Sequence, residues 1–171
     1  PTQEGDGSVF YGISDFGKRV ATQWQGFSFN DVYKVNPSTG VAEVVTKDLK
    51  GGNLQPSYTG KYLLFFDERK QKYFVYNNAT QQVYQVAKDI KTALYDEEND
   101  VPDDPNAYGI VKWMEGDKSV LIYDRYDIWQ VDPEGASASV CLTAGRKDKT
   151  VIRNVNVDQE ERFIKPNQTL L

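Results

Sequence analysis

The sequence predicts an all-β fold, a partial β-propeller of about three four-stranded antiparallel blades plus the start of a fourth. Three observations predict it. Residues 119–133 hold two β-rich runs around a short polar break and end in a turn dipeptide, the pattern of an antiparallel hairpin. The second half of this hairpin, residues 127–133, recurs at 31–37 and more loosely at 73–78. Aromatic residues make up 13% of the chain, which favours strands over helical bundles.

A turn motif that precedes a β-rich run indicates the length of the repeating unit. It occurs at residues 14–20, 57–63, 114–120 and 157–163, at intervals of 43, 57 and 43 residues. Four short strands in about 40–50 residues is the spacing of a propeller blade. A β-sandwich also contains many short strands, but a sandwich has no need to repeat the same turn and strand chemistry three times. The propeller is therefore the favoured architecture.

Each of three units is predicted to contain four strands. The repeats span about 9–51, 52–88 and 105–150, with a partial copy at 151–171, and the extra length falls in an acidic insertion at 89–107. The predicted strands are residues 9–12, 20–24, 31–35 and 41–46, then the Leu54 region, 62–66, 73–76 and 82–87, then 108–113, 119–123, 127–131 and 137–143.

Composition and charge argue against several function classes. The formal net charge is −5 and the pI about 4.8, which disfavours nonspecific binding to nucleic acid. No apolar run approaches the roughly 20 residues that a membrane-spanning helix needs. The chain opens Pro1-Thr2-Gln3 and stops at Leu170-Leu171, so we expect an excerpt of a longer protein. Open blade edges in such an excerpt would permit a dimer.

No catalytic residue, metal or cofactor is predicted. The sequence contains no His, which removes Ser-His-Asp and Cys-His catalysis and the common zinc sites. The Gly-x-Ser-x-Gly nucleophile motif and a phosphate-binding glycine loop are absent too. The Asp96-x-Glu98-x-Asp100 spacing resembles the start of a calcium loop, but Val101 stands at the sixth position and no Glu closes it. A solvated acidic loop is the favoured interpretation.

Other residues that attract notice are assigned structural roles. Trp24, Trp113 and Trp129 are expected in the blade cores. The single Cys141 lies in a strand-like run, where a small buried thiol is expected. The Asp124-Arg125 pair at the hairpin tip is predicted to form a turn with a surface ion pair of little energetic value.

Several stretches carry a resemblance to a known family. They are Tyr-Asp-Glu-Glu-Asn-Asp-Val-Pro at 95–102, Tyr-Gly-Ile at 108–110, the run from Asp117 to Pro133, and Leu-Thr-Ala-Gly-Arg at 142–146. With its repeats, the chain resembles the N-terminal propeller region of prolyl oligopeptidase-family (S9) serine peptidases. It is most similar to the large secreted homologues from Bacteroides-type bacteria. The resemblance covers most of the chain and is strongest from about Tyr95 onward.

The resemblance implies that this chain is the non-catalytic part of a serine peptidase, which shields the active site and selects small peptide substrates. Its partners would be the missing α/β-hydrolase domain, the remaining blades and a peptide substrate, in the periplasm or outside the cell. In the dipeptidyl-peptidase branch, a Glu-Glu pair in a propeller insertion holds the substrate's free amine. Glu97 and Glu98, after Tyr95, look like that pair. The alternative is a propeller binding module, similar to TolB-type domains, for a protein partner in the periplasm or at the cell surface.

Overall fold

The computed structural model describes residues 2–171, which form strands and two short α-helices. The helices are α1 (Arg19–Gln25) and α2 (Gly145–Asp148). The strands are β1 (Phe10–Ser14), β2 (Phe29–Val35), β3 (Ala42–Lys50), β4 (Leu54–Pro56), β5 (Tyr62–Asp67), β6 (Lys72–Asn77), β7 (Gln82–Gln85), β8 (Ile110–Trp113), β9 (Val120–Tyr123), β10 (Ile128–Val131) and β11 (Val140–Cys141).

The strands form three antiparallel sheets, so the all-β prediction is confirmed. Sheet 1 has the order β1-β2-β3, sheet 2 the order β4-β5-β6-β7 and sheet 3 the order β8-β9-β10-β11. Sheets 2 and 3 are four-stranded meanders in which neighbours in sequence are neighbours in space. The predicted hairpin of residues 119–133 is the β9–β10 pair, with Tyr123 opposite Ile128 and Val120 opposite Val131.

Three turns, one in each sheet, share the same capping chemistry. Asn36 follows β2, Asn77 ends β6 and Asp132 follows β10, and each side chain accepts backbone N–H bonds from residues two and more positions later. Asn and Asp favour turns because their short side chains make these local bonds. Alignment on the three turns makes β1, β5 and β9 equivalent, and likewise β2, β6 and β10.

Sheet 2 is covered on both of its faces. Successive residues of a strand point to opposite sides of the sheet, and every residue of β5 is buried. Tyr62, Leu64 and Phe66 join the core between sheets 2 and 3. Leu63 and Phe65 join the core between sheets 1 and 2. Each large apolar side chain buried in this way contributes about 1.5–3 kcal/mol, so burial against both neighbours stabilises the middle sheet.

Specific contacts join sheets 2 and 3 in addition to apolar burial. The Tyr62 and Trp113 rings stack with centroids 5.8 Å apart and planes 7° apart. The Trp113 indole Nε1 donates to the Gln55 carbonyl at 3.2 Å. At the same end of the sheets, the hydroxyls of Ser57 and Thr59 both donate to Asp117 Oδ2. These contacts fix how the two sheets lie against one another.

Residues 151–171 cover the outer face of sheet 3 without forming a strand. Ile164 is buried there with Leu121 and Ile128, and it forms an isolated parallel bridge to Met114. The expected start of a fourth blade therefore contains no strand. It nevertheless occupies the face on which a further sheet would stack.

The prediction of a strand at residues 20–24 is wrong. These residues lie in α1, which ends at Gly26 with a left-handed φ of 78° that suits glycine. The segment is an insertion inside the β1–β2 hairpin, so β1 takes the place expected for residues 20–24 and sheet 1 has three strands instead of four. The expected core position of Trp24 is also wrong, because this side chain is 85% exposed.

Two smaller expectations are corrected in sheet 3. Residues 137–143 form only the two-residue strand β11, because Asp132 and Asp89 hold the preceding segment through bonds to the backbone N–H groups of Ser137 and Ser139. Cys141 is exposed and not buried, with its Sγ donating to the Thr143 carbonyl. Throughout residues 2–171, no helix has the length and apolar character to cross a membrane.

Candidate functional site

One end of the stacked sheets gathers the chain's longest connections. Because consecutive strands are antiparallel, alternate connections lie at opposite ends of a sheet. One of these ends, named the loop end, carries the insertion 15–28, the turn 68–71, the acidic insertion 89–107 and the hairpin tip 124–127. The stretches that carry the family resemblance meet here, so this end is the candidate site.

Asp124 organises the hairpin tip. Its carboxylate is completely buried. Oδ1 accepts the backbone N–H groups of Tyr126 and Asp127, both at 2.7 Å. Oδ2 accepts Trp129 Nε1 at 3.0 Å and Arg146 Nη2 at 2.8 Å, with the Thr92 hydroxyl at 2.8 Å. Every acceptor position of this carboxylate therefore faces a donor.

These donors set the charge of Asp124. Burial alone would raise the pKa of Asp124, since it disfavours the ionised form. The hydrogen bonds from the backbone, Trp129 and Arg146 outweigh burial and lower the pKa to about 2. Asp124 is therefore ionised at neutral pH and serves as a structural anchor. A general acid or base needs a pKa near the working pH, so Asp124 is unsuited to that role.

Asp127, three residues later, fixes the segment that supplies Arg146. Its Oδ1 accepts the Thr143 hydroxyl at 2.7 Å and the Gly145 N–H at 2.6 Å, and its Oδ2 accepts the Arg146 N–H at 3.1 Å. A Cβ on Gly145 would lie 2.2 Å from the Thr150 carbonyl oxygen, so only glycine fits the close approach. The two aspartates thus place Arg146 beside the hairpin tip.

Three arginines stack on tyrosine rings around this anchor. The guanidinium carbons of Arg125 and Arg146 lie 5.2 and 5.1 Å from the Tyr126 ring centroid. Arg153 lies 4.6 Å from the Tyr123 ring, and its Nη2 donates to the Arg125 carbonyl at 3.2 Å. Cations within about 6 Å of an aromatic ring are attracted to it, so these side chains are held in defined positions.

Glu97 and Glu98 lie on the acidic insertion beside the arginines. Glu98 forms an ion pair with Arg125, and its N–H donates to Asp96 Oδ1 at 3.0 Å. The Glu97 N–H donates to the Tyr108 hydroxyl at 3.1 Å. Among residues 2–171 the exposed Glu97 carboxylate has no ion-pair or hydrogen-bond partner. The two candidate residues are therefore adjacent but differ, because Glu98 forms an ion pair with Arg125, whereas Glu97 forms none and lies only within longer-range electrostatic reach of Arg146.

The expected surface ion pair between Asp124 and Arg125 is wrong. Arg125 pairs with Glu98, and Asp124 is buried and pairs with Arg146. Sequence reasoning missed Arg146 and Arg153, which come from the segment after sheet 3. The run Thr143-Ala-Gly145, which places a hydroxyl and a glycine before Arg146, indicates a turn that could bind a carboxylate. It does not reveal which acidic residue that turn contacts.

The groups exposed at this end are suited to binding. The arrangement offers an exposed carboxylate for a cation and oriented tyrosine and arginine groups for polar contacts. Within residues 2–171, no cluster of three or more metal-ligating side chains is found. Comparisons with protein-family models, with curated proteins and with solved structures return no match.

Proposed function

We propose that this chain is the non-catalytic propeller portion of an S9-family serine peptidase, which shields the active site and admits small peptides. The observation that carries the proposal is the convergence of the family-like stretches in space. Residues 95–102, 117–133 and 142–146 meet around Asp124 at the loop end. This end would face the α/β-hydrolase domain, which would supply the Ser, Asp and His of catalysis.

Equivalent faces of the sheets support completion of the propeller by further blades. In sheets 2 and 3 the face toward the preceding sheet carries Phe65 and Ile122, and both are buried. The equivalent face of sheet 1 includes Phe10, Tyr33 and Val35, which are only partly buried. An additional four-stranded sheet stacked there would complete their burial. Without one, a second copy could cover the open face and produce a dimer.

The Glu97 carboxylate supports the role of amine anchor for the substrate. An exposed carboxylate without a cationic partner can accept an ammonium group in charge-assisted hydrogen bonds. Arg125 already neutralises Glu98, so Glu97 would supply the attraction and Glu98 would help to hold the loop. This assignment fits an exopeptidase that recognises a free N-terminus, secreted into the periplasm or the medium.

The exposed apolar residues of the first insertion favour a second candidate, a TolB-like binding module for a protein partner. Phe16, Val20 and Trp24 are 91%, 74% and 85% exposed and recur at a spacing of four residues. Val20 and Trp24 are four residues apart in α1 and therefore lie on one face of the helix, and exposed apolar side chains that lie together mark interaction surfaces. Such a module would have no hydrolase domain, and the isolated chain would capture its partner through these residues.

The reading frame beyond the codon for Leu171 separates the two candidates. The peptidase proposal requires a Gly-x-Ser-x-Gly motif followed by Asp and His in an α/β pattern. A frame that closes without them would rule it out and leave the binding module.

Peptide binding tests the amine anchor in the chain itself. We expect Ala-Pro amide to bind about tenfold more tightly than its N-acetylated form, because acetylation removes the ammonium charge. Glu97→Gln should abolish that difference, while Glu160→Gln, at an exposed acid remote from the loop end, should preserve it. Calorimetric titration measures both. Equal binding of the free and acetylated peptides by the unmodified chain would contradict the assignment.

A further inference from the structure

A lysine is buried at the junction of the two insertions of the loop end. Lys50 is the last residue of β3, and only 3% of its surface is exposed. Its carbonyl accepts the Glu68 N–H at 3.2 Å, which ties the end of sheet 1 to the turn 68–71 of sheet 2. Lysine is almost never fully buried unless it is paired, so Lys50 needs anionic partners.

The partners of Lys50 come from both insertions. Its Nζ forms ion pairs with Asp103 and, at 2.7 Å, with Asp104 of the acidic insertion. The same Nζ lies 4.1 Å from the ring centroid of Phe27, in the insertion that contains α1. One ammonium group therefore contacts two segments that are about 75 residues apart in the sequence.

Hydrogen bonds within the acidic insertion stabilise the segment between the partners of Lys50 and Glu97, the proposed amine anchor. The Asn99 side-chain amide donates to the carbonyls of Val101 and Asp103 at 3.2 and 2.8 Å. The Asp103 N–H in turn donates to the Val101 carbonyl at 2.8 Å. The stretch 99–103 is thus a closed turn with Glu98 at one side and the Lys50 contact at the other. Two ion-pair contacts hold residues 98–104 of the acidic insertion to other segments, Arg125 on Glu98 and Lys50 on Asp103 and Asp104.

The charges make the Lys50 contact asymmetric. A buried ammonium group needs compensating anions, whereas Asp103 and Asp104 are 45% and 38% exposed and can be hydrated. The hydrogen bond from Lys50 lowers the pKa of Asp103. Glu68 also lies near Lys50, but burial raises its pKa, so ionisation of Glu68 is the more costly. Asp103 and Asp104 are therefore the anions on which Lys50 depends.

We propose that Lys50 is a positioning residue, which holds the loop bearing Glu97 and Glu98 in place and joins the two insertions into one surface. The role assigned to the loop rests on the proposed function, but the contact itself does not. Removal of the lysine should free the loop and leave the sheets intact. Removal of both aspartates should instead leave the buried Lys50 ammonium group without a compensating anion and destabilise the whole domain.

Hydrogen exchange and thermal unfolding of the unliganded chain test this asymmetry. In Lys50→Met we expect amide exchange across residues 96–104 to accelerate about tenfold, with the melting temperature within about 3 °C of the parent. Lys50→Arg should restore exchange to within about twofold, because it keeps the charge. Lys91→Met, at an exposed lysine of the same insertion with no ion pair among residues 2–171, is the matched control and should change neither quantity.

The aspartate variants complete the test. The Asp103→Asn/Asp104→Asn double variant should lower the melting temperature by about 6–20 °C. Addition of Lys50→Met to that variant should recover most of the loss. Unchanged exchange in Lys50→Met, or no recovery in the triple variant, would overturn the proposal. These measurements need no peptide. If the unmodified chain fails to distinguish free from acetylated peptide, the role of Glu97 as amine anchor is refuted, but the proposal for the Lys50 contact is unaffected.

Discussion

Substitution of Asp124 by Asn should destabilise the domain by about 2–4 kcal/mol. The Asn Oδ1 can keep the two backbone bonds of the turn, but its amide nitrogen would face Trp129 Nε1 and Arg146 Nη2, which are both donors. Hydrogen bonds to a charged group contribute about 1.5–3 kcal/mol each. Since the Arg146 side chain is 42% exposed, water can replace part of its loss, which brings the sum to the stated range.

The lowered pKa of Asp124 leads to a similar loss of folding stability and predicts how that loss depends on pH. The decrease from 3.8 to about 2 corresponds to about 2 kcal/mol in favour of the ionised folded state. The folded pKa is depressed, so this stability is fully present above the unfolded pKa and is lost as the pH falls through about 2. The difference between the parent and Asp124→Asn should therefore be constant above about pH 5 and shrink below about pH 4.

Urea unfolding at several pH values measures both effects. In thermal unfolding at neutral pH the same loss of stability should lower the melting temperature by about 4–16 °C, on the scale of about 2–4 °C per kcal/mol for a chain of this size. Asp148→Asn serves as the control, since this exposed aspartate of α2 has no side-chain partner among residues 2–171. A stability of Asp124→Asn within about 0.5 kcal/mol of the parent would refute the assignment of Asp124 as an anchor.

Four further substitutions test the fold. Trp113→Ala should cost about 3–5 kcal/mol in urea unfolding, because it removes a buried ring stacked on Tyr62; a loss below about 1 kcal/mol would argue against the contact between sheets 2 and 3. Trp24→Ser should change the unfolding free energy by less than about 0.5 kcal/mol, whereas a large loss would mean that this exposed residue is buried in solution. Asn77→Ala should lower the melting temperature more than Asn36→Ala, because Asn77 is 8% exposed and Asn36 lies at the surface; the reverse order would contradict the burial of the Asn77 turn.

The parts of the fold that depend on local sequence could be predicted. The β9–β10 hairpin and the Asx turns arise from neighbouring residues, so alternation and turn chemistry suffice to find them. The prediction of a strand at residues 20–24 was wrong because Val, Thr and Trp favour strands. In α1 these residues lie within an insertion in a hairpin, where no adjacent strand pairs with them and the glycine at position 26 ends the helix.

The candidate site was predictable only in part. Glu97 and Glu98 could be named from a short motif, and the structure places them together on an exposed loop. The surroundings of these two residues could not be predicted, because the ion pairs and hydrogen bonds around them join residues that are far apart in sequence. Arg146 reaches Asp124 across 22 positions, and Lys50 reaches Asp104 across 54. Such contacts follow from the stacking of the sheets, which the spacing of motifs along the chain does not encode.

The burial of sheet 2 on both faces has a consequence for how the chain folds. A hairpin with two apolar faces gains little stability until another sheet covers each face, so β5 and β6 should not form stable structure on their own. Sheets 1 and 3 each supply one cover, which couples all three in a linear array of nearest neighbours. Loss of either outer sheet should therefore melt the middle one, and the domain should unfold from its ends inward.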